Sequence, residues 1–136
     1  MLPPSLRDEI LRITYGEIIG KIKFFKDMKD SDFLWKILPI LRSIKLEKNE
    51  VQYWKGDTSD ELYFIQQGTI KLYSEQSVPF IKYTSGDMFG DSDALLDLPR
   101  DGKAVAVTIV TLKSLHVKQF EQLFFNSQDT CLQMIV

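Results

Sequence analysis

The chain has 136 residues, 44% hydrophobic and 26% charged, with a formal net charge of −2. That length suits one globular domain burying roughly two thirds of its unfolded surface, and the charge excludes a global basic field for nucleic acid. The single cysteine, Cys131, excludes an internal disulfide, and no apolar run approaches the ~20 residues that span a bilayer. The N-terminus, Met1-Leu2-Pro3-Pro4-Ser5, lacks the basic and apolar regions of a signal peptide. The expectation is a soluble, intracellular domain, compatible with a piece of something larger.

Taken in order, Pro3-Pro4 stops the chain and Ser5 with Asp8 forms a capping box for a first helix. Leu6, Ile10, Ile13 and Ile18 recur at helical spacing, and Gly16 and Gly20 weaken its end. Phe24 and Phe25 follow in a short basic-apolar turn, either plugging the core or docking a neighbouring domain or subunit. Asp30-Ser31-Asp32 opens a second helix whose apolar face is Phe33, Leu34, Ile37, Leu38 and Leu41, and Pro39 ends or bends it. The period then switches to two. Ile44 and Leu46 alternate, then Val51 and Tyr53. Glu61-Leu62-Tyr63-Phe64-Ile65 is too apolar for one wet face and reads as a central strand. Gln67-Gly68 turns it into a hairpin with Ile70 and Leu72. Phe80 and Tyr83 mark a further strand. Val105, Val107 and Ile109 alternate, as does Thr111 to Val117, and Phe120, Leu123, Phe124, Leu132 and Ile135 mark a terminal helix. About eight short strands with glycine turns predict an antiparallel barrel or jelly roll.

Catalytic chemistry is sparse. His116 is the sole histidine and falls in an alternating strand, where a structural role outweighs that of a catalytic base. Cys131 reads as a small apolar filler. No His/Cys spacing suits a metal, and no Walker loop, nucleophile elbow or dinucleotide fingerprint occurs. Asp91, Asp93, Asp97 and Asp101 are dense but lack the spacing of a calcium loop. Nothing argues for an enzyme or a cofactor.

The stretch Gly86 to Val107 holds a glycine turn, a short apolar segment, one arginine and a strand-like alternation. Backbone N–H groups around such a turn bind an anion, and an arginine adds a bidentate fork for a phosphate. Gly86-Asp87-x-Phe89-Gly90-Asp91, Ala94-Leu95-Leu96 and Pro99-Arg100 resemble the phosphate-binding cassette of cyclic nucleotide-binding domains. Upstream, Gly56-Asp57 and Glu61 to Ile65 with Gly68 resemble the same family's strand pair. The resemblance runs from about Phe24 to Phe124 and implies an α+β fold: an antiparallel β-roll (a double-stranded jelly roll) with flanking N-terminal and C-terminal helices.

By family position, Arg100 meets the phosphate, Gly90 permits close approach, and Asp91 stands where a glutamate usually accepts from the ribose. Phe89, Ala94 and Leu95 border the pocket. Asp101 and Lys103 stand where small or hydroxyl residues complete the cradle, and Asp101 either pairs with Arg100 or repels the phosphate. The alternative for Arg100 is a surface ion pair with Asp97 or Asp101.

A narrower resemblance rests on Leu2 to Ile10 and Ile22-x-Phe24-Phe25. These are similar to the helix preceding the nucleotide domain in ion channels of the cyclic nucleotide-gated, hyperpolarisation-activated and ether-à-go-go type. That resemblance implies a helical linker over 1–22 and the domain over 23–136. It implies a regulatory module at the cytoplasmic face of a membrane protein, binding cAMP or cGMP and coupling it to a channel pore or other subunits. Two alternatives stand beside it: a ligand-free homology domain serving assembly, or the regulatory domain of a non-channel protein such as a kinase regulatory subunit.

Overall fold

The computed structural model describes residue 13 and residues 15–28 and 32–125. The Ser5–Asp8 capping box, the Leu2–Ile10 segment, Cys131, Leu132 and Ile135 lie outside the described residues.

Residues 15–21 are helical (α1). Ile22 breaks the run with an extended backbone, φ −97° and ψ 120°, and α2 follows at Lys23–Asp27. Helix α3 spans Asp32–Ile37, and Pro39 turns its continuation into a 3-10 segment, Leu38–Ile40. The strands are β1 Arg42–Leu46, β2 Val51–Tyr53, β3 Glu61–Gln67, β4 Thr69–Tyr73, β5 Pro79–Thr84, β6 Met88–Phe89, β7 Lys103–Ala106 and β8 Val110–His116. Helix α4, Asp91–Leu95, sits between β6 and β7, and α5, Val117–Phe125, follows β8. Two four-stranded antiparallel sheets result, ordered β1-β8-β3-β6 and β2-β7-β4-β5. This is the expected β-roll with flanking helices.

One expectation fails. β3 and β4 do not form a hairpin, because they belong to different sheets. A register shift between Ile65 and Gln67 loosens the end of β3 from β8. Gly68 then takes the left-handed φ of 107°, where a Cβ would lie 2.5 Å from the Ile109 carbonyl oxygen. The chain turns a corner between sheets there instead of folding back in the plane.

β3 is apolar on both faces because it separates two cores. Leu62 and Phe64 face the helices, packing with Ile18, Ile22, Phe25, Phe33, Leu34, Ile37, Leu115, Phe120 and Phe124. Phe24 joins this cluster against Phe25, Phe33, Phe64 and Phe120, so both phenylalanines of the turn enter the core. Tyr63 and Ile65 face the other sheet, with Leu46, Tyr53, Ile70, Leu72, Phe89, Val110 and Leu112. On β7 the inward residues are Ala104 and Ala106, both fully buried, while Val105, and Val107 just past the strand, are half-buried. Ile109, beyond the end of β7, is 56% exposed. Small side chains are needed there because three tyrosines and Phe89 already occupy that interior.

Candidate functional site

The site begins with backbone. β6 ends at Phe89, and Gly90 takes φ 76° to turn the chain into α4. A Cβ on Gly90 would lie 2.9 Å from Arg100 Nη1 and 3.0 Å from the Tyr63 ring, so glycine serves both the turn and the close approach. After α4 the chain returns through Pro99 to Arg100. The Gly56–Asp57 turn fixes that return: Arg100 N donates to the Asp57 carbonyl at 2.9 Å, and Gly56 N donates to the Arg100 carbonyl at 2.9 Å. Ser59, also buried, donates its hydroxyl to the carbonyls of Asp93 (3.0 Å) and Leu98, tying the middle of α4 to the loop that leaves it.

Arg100 is 2% exposed and is the one buried charged side chain among the described residues. Nη1 donates to the Gly90 carbonyl at 2.7 Å and Nη2 to the Glu61 carbonyl at 2.5 Å. The guanidinium lies 4.3 Å from the centre of the Tyr53 ring and 5.6 Å from that of Tyr63. Its carboxylate neighbour is Asp93, with Oδ2 at 3.9 Å from Nη1. The surface ion pair with Asp97 or Asp101 is therefore replaced by a buried arrangement. Arg100 turns inward, so the next residue, Asp101, points out and is exposed. Asp97 closes α4 in the left-handed conformation at φ 54° and is exposed as well.

Phe89 is fully buried and stacks on Tyr63 (5.1 Å) and Tyr83 (5.5 Å). Burial pushes the hydroxyls of Tyr53, Tyr63 and Tyr83 above the ordinary tyrosine range. The Arg100 charge opposes that rise at Tyr53 and Tyr63, while Asp91 and Asp93 add to it at Tyr83.

Of the residues singled out from the sequence, Phe89, Ala94 and Arg100 are buried in the cassette, and the half-buried Gly90 joins them through its carbonyl, which accepts from Arg100 Nη1 and Ala94 N. Asp91 is half-buried in the first turn of α4. Leu95 is 40% exposed, on the outside of α4. Lys103 leaves the cradle: its ammonium lies 5.2 Å from the centre of the Trp54 ring and 6.0 Å from that of Tyr73. Alternation along β7 sends Lys103 outward, because Ala104 must face the interior.

Three contributors were not legible as such. Asp93 stood out only as one acid among several, yet it is the one that faces Arg100. Tyr53 read as an alternating core residue, and it stacks on the guanidinium. Phe80 marked a strand, and its ring covers Gly102: a Cβ there would lie 2.9 Å from Phe80 Cζ and 2.9 Å from the Tyr73 carbonyl oxygen. A register shift between Leu72 and Tyr73 against β5 directs Phe80 toward the cassette. Beside the Arg100 backbone, Gly56, Asp57, Thr58, Ser59, Asp97, Leu98 and Pro99 line an open cavity of about 200 Å³. That is below the ~300 Å³ usual for small-molecule sites. Chemically, the cassette presents one preorganised guanidinium whose hydrogen-bonding edge is held by the protein's own carbonyls.

A glycine-turned cassette with a buried arginine, set in a two-sheet roll with flanking helices, defines a domain class, and comparison with known proteins agrees. The family model "Cyclic nucleotide-binding domain" matches residues 43–127, and the chain belongs to that family. It is 25% identical over 112 residues to the cAMP-dependent protein kinase regulatory subunit of Candida albicans, an alignment covering 82% of this chain and 24% of that protein. It is 32% identical over 89 residues to the cAMP/cGMP-dependent 3',5'-cAMP/cGMP phosphodiesterase B of Dictyostelium discoideum, covering 65% of this chain and 8% of that one. Among solved structures it resembles the regulatory subunit of a cAMP-independent protein kinase A from Trypanosoma brucei. There the TM-score is 0.74 at 21% identity, over 85% of this chain and 42% of that chain. The chain thus spans under half the length of each. None of these three is an ion channel, and the channel-like resemblance gains no support from them. Among the described residues, no helix is long and apolar enough to cross a membrane.

Proposed function

We propose that this chain is the cyclic nucleotide-sensing part of a regulatory protein of the kinase regulatory-subunit kind, with a protein kinase catalytic subunit as its partner and cAMP or cGMP as its ligand. The observation that carries this reading is Arg100, a buried guanidinium held 2.7 Å from the Gly90 carbonyl in the cassette turn. A charge is costly to bury, and a fold retains one where it has work for it. The kinase regulatory subunits among its relatives support the non-channel alternative over a pore-coupled module. In this reading a cyclic phosphate oxygen takes the place of the Gly90 carbonyl on Nη1, and Asp91 accepts from the ribose. The exchange repositions α4, and only a ligand that prefers the opened arrangement shifts the population.

A second reading has its own support. Nη1 and Nη2 of Arg100 each already donate to a protein carbonyl and the guanidinium lies on the Tyr53 ring, which suits a scaffold closed on itself and used for assembly. Isothermal titration with cAMP and cGMP separates the two. The first reading expects heat at micromolar to millimolar nucleotide that disappears in Arg100→Ala, with circular dichroism checking that the variant is folded. No heat at millimolar nucleotide from the folded wild type rejects it in favour of the second.

A further inference from the structure

We infer that Asp93 is the residue that sets the phosphate affinity of this cassette, by acting as an internal anion that competes with a bound phosphate for Arg100. The inference rests on the nucleotide-sensing reading for its ligand, and on geometry for the rest. The Asp93 carboxylate lies 3.9 Å from Arg100 Nη1, the nitrogen that also holds the Gly90 carbonyl, and the Arg100 side chain is 99% buried. The Asp93 side chain is 20% exposed, so water screens the pair from one side only.

The position of Asp93 is fixed, not adopted by chance. Its carbonyl accepts from the buried Ser59 hydroxyl, its α4 turn starts at Gly90, and Leu98 N donates back to the same carbonyl at 2.9 Å. The carboxylate does not reach hydrogen-bonding distance, so it holds the guanidinium by charge alone. Nη1 and Nη2 each already donate to a backbone carbonyl, of Gly90 and of Glu61. A cyclic phosphate carries one negative charge. To reach Nη1 it must crowd or displace the Gly90 carbonyl and lie next to Asp93, where like charges repel. Asp101 and Asp97 carry the same charge but are exposed and turned away, so they add little. Asp91 lies half-buried in the first turn of α4, and on the nucleotide-sensing reading it is left to accept from a ribose hydroxyl.

Asp93→Asn removes the charge and keeps the shape, since the anchoring contacts of this residue are made by its backbone. The test measures cAMP binding by titration calorimetry in wild type, Asp93→Asn and Asp97→Asn, and in parallel the shift in melting temperature given by inorganic phosphate over equal ionic strength of chloride. Asp97→Asn is the control: it removes one charge nearby at a left-handed position that asparagine tolerates. The expected result is cAMP affinity tightened about ten- to a hundred-fold in Asp93→Asn and within about two-fold of wild type in Asp97→Asn. Phosphate is expected to stabilise Asp93→Asn and not wild type. Equal tightening in both variants, or none in Asp93→Asn while wild type binds cAMP, overturns the role of Asp93 and leaves the nucleotide-sensing reading standing. If cAMP binds none of the three but phosphate stabilises Asp93→Asn alone, the role of Asp93 holds and the nucleotide reading fails. Silence toward both probes in all three folded proteins overturns both.

Discussion

At the scale of single residues, Gly90 and Arg100 constrain one another. Gly90 has φ 76°, and any Cβ there meets Arg100 Nη1 at 2.9 Å. Gly90→Ala therefore adds backbone strain to displacement of a buried charge, and is expected to lower stability by about 2–4 kcal/mol, measured as the urea midpoint at constant m-value. A loss within 0.5 kcal/mol would show that the cassette is softer than its packing. Arg100 is the converse case. Its guanidinium serves two carbonyls and lies against the Tyr53 and Tyr63 rings at once, a geometry that a lysine ammonium cannot reproduce. Arg100→Ala removes a charge-assisted donor from each of the Glu61 and Gly90 carbonyls, the latter keeping only the 3.4 Å bond from Ala94 N, and is expected to cost about 2–4 kcal/mol. Arg100→Lys should recover less than half of that in the same denaturation series, and full recovery by lysine contradicts the fork-and-stack description.

At the scale of elements, α4 is only five residues long and gains its position from outside itself. The Ser59 hydroxyl ties its middle to its exit loop, through the carbonyls of Asp93 and Leu98. Ser59→Ala is expected to cost about 1–2 kcal/mol and to speed amide exchange from Ser92 to Leu98 more than in β3 or β8. Uniform acceleration across the domain would instead mark a global effect. The strands themselves were legible, because alternation and glycine turns survive in the sequence as a period of two. What alternation could not supply was which residue of a pair faces in. On and just after β7, Val105 and Val107 carry the conventional signal, yet Ala104 and Ala106 face the core because the opposing rings leave no volume for more. Nor could it separate a hairpin from a corner at Gly68, since both want a glycine with positive φ. The arginine of the site was legible from spacing. Its neighbours Tyr53, Phe80 and Asp93 were not, because they reach it through two register shifts and a helix turn that leave no local pattern.

At the scale of the whole molecule, two cores share β3, one toward the helices and one between the sheets. The inter-sheet core holds Tyr53, Tyr63 and part of Tyr83, and burial raises the pKa of all three above the ordinary 10.0. A raised folded-state pKa means the native domain keeps protons that the unfolded chain has released. Stability from these groups is fully present below pH about 10 and falls as pH rises toward the folded values. Alkaline titration followed at 295 nm should thus show these three of the five tyrosines ionising together with loss of circular dichroism. Ionisation of all five before any unfolding contradicts the burial of that core. The strand order has a further consequence, in time. β1 pairs with β8, joining Arg42 to Ser114, and β8 is also the central partner of β3. The sheet that carries both cores therefore cannot close until nearly the whole domain has left the ribosome. Such distant pairing places folding in the slower, millisecond-to-second range. Until β8 arrives, the both-sided apolar strand β3 has no partner on either edge except the two-residue β6, which makes it the segment a chaperone would meet first.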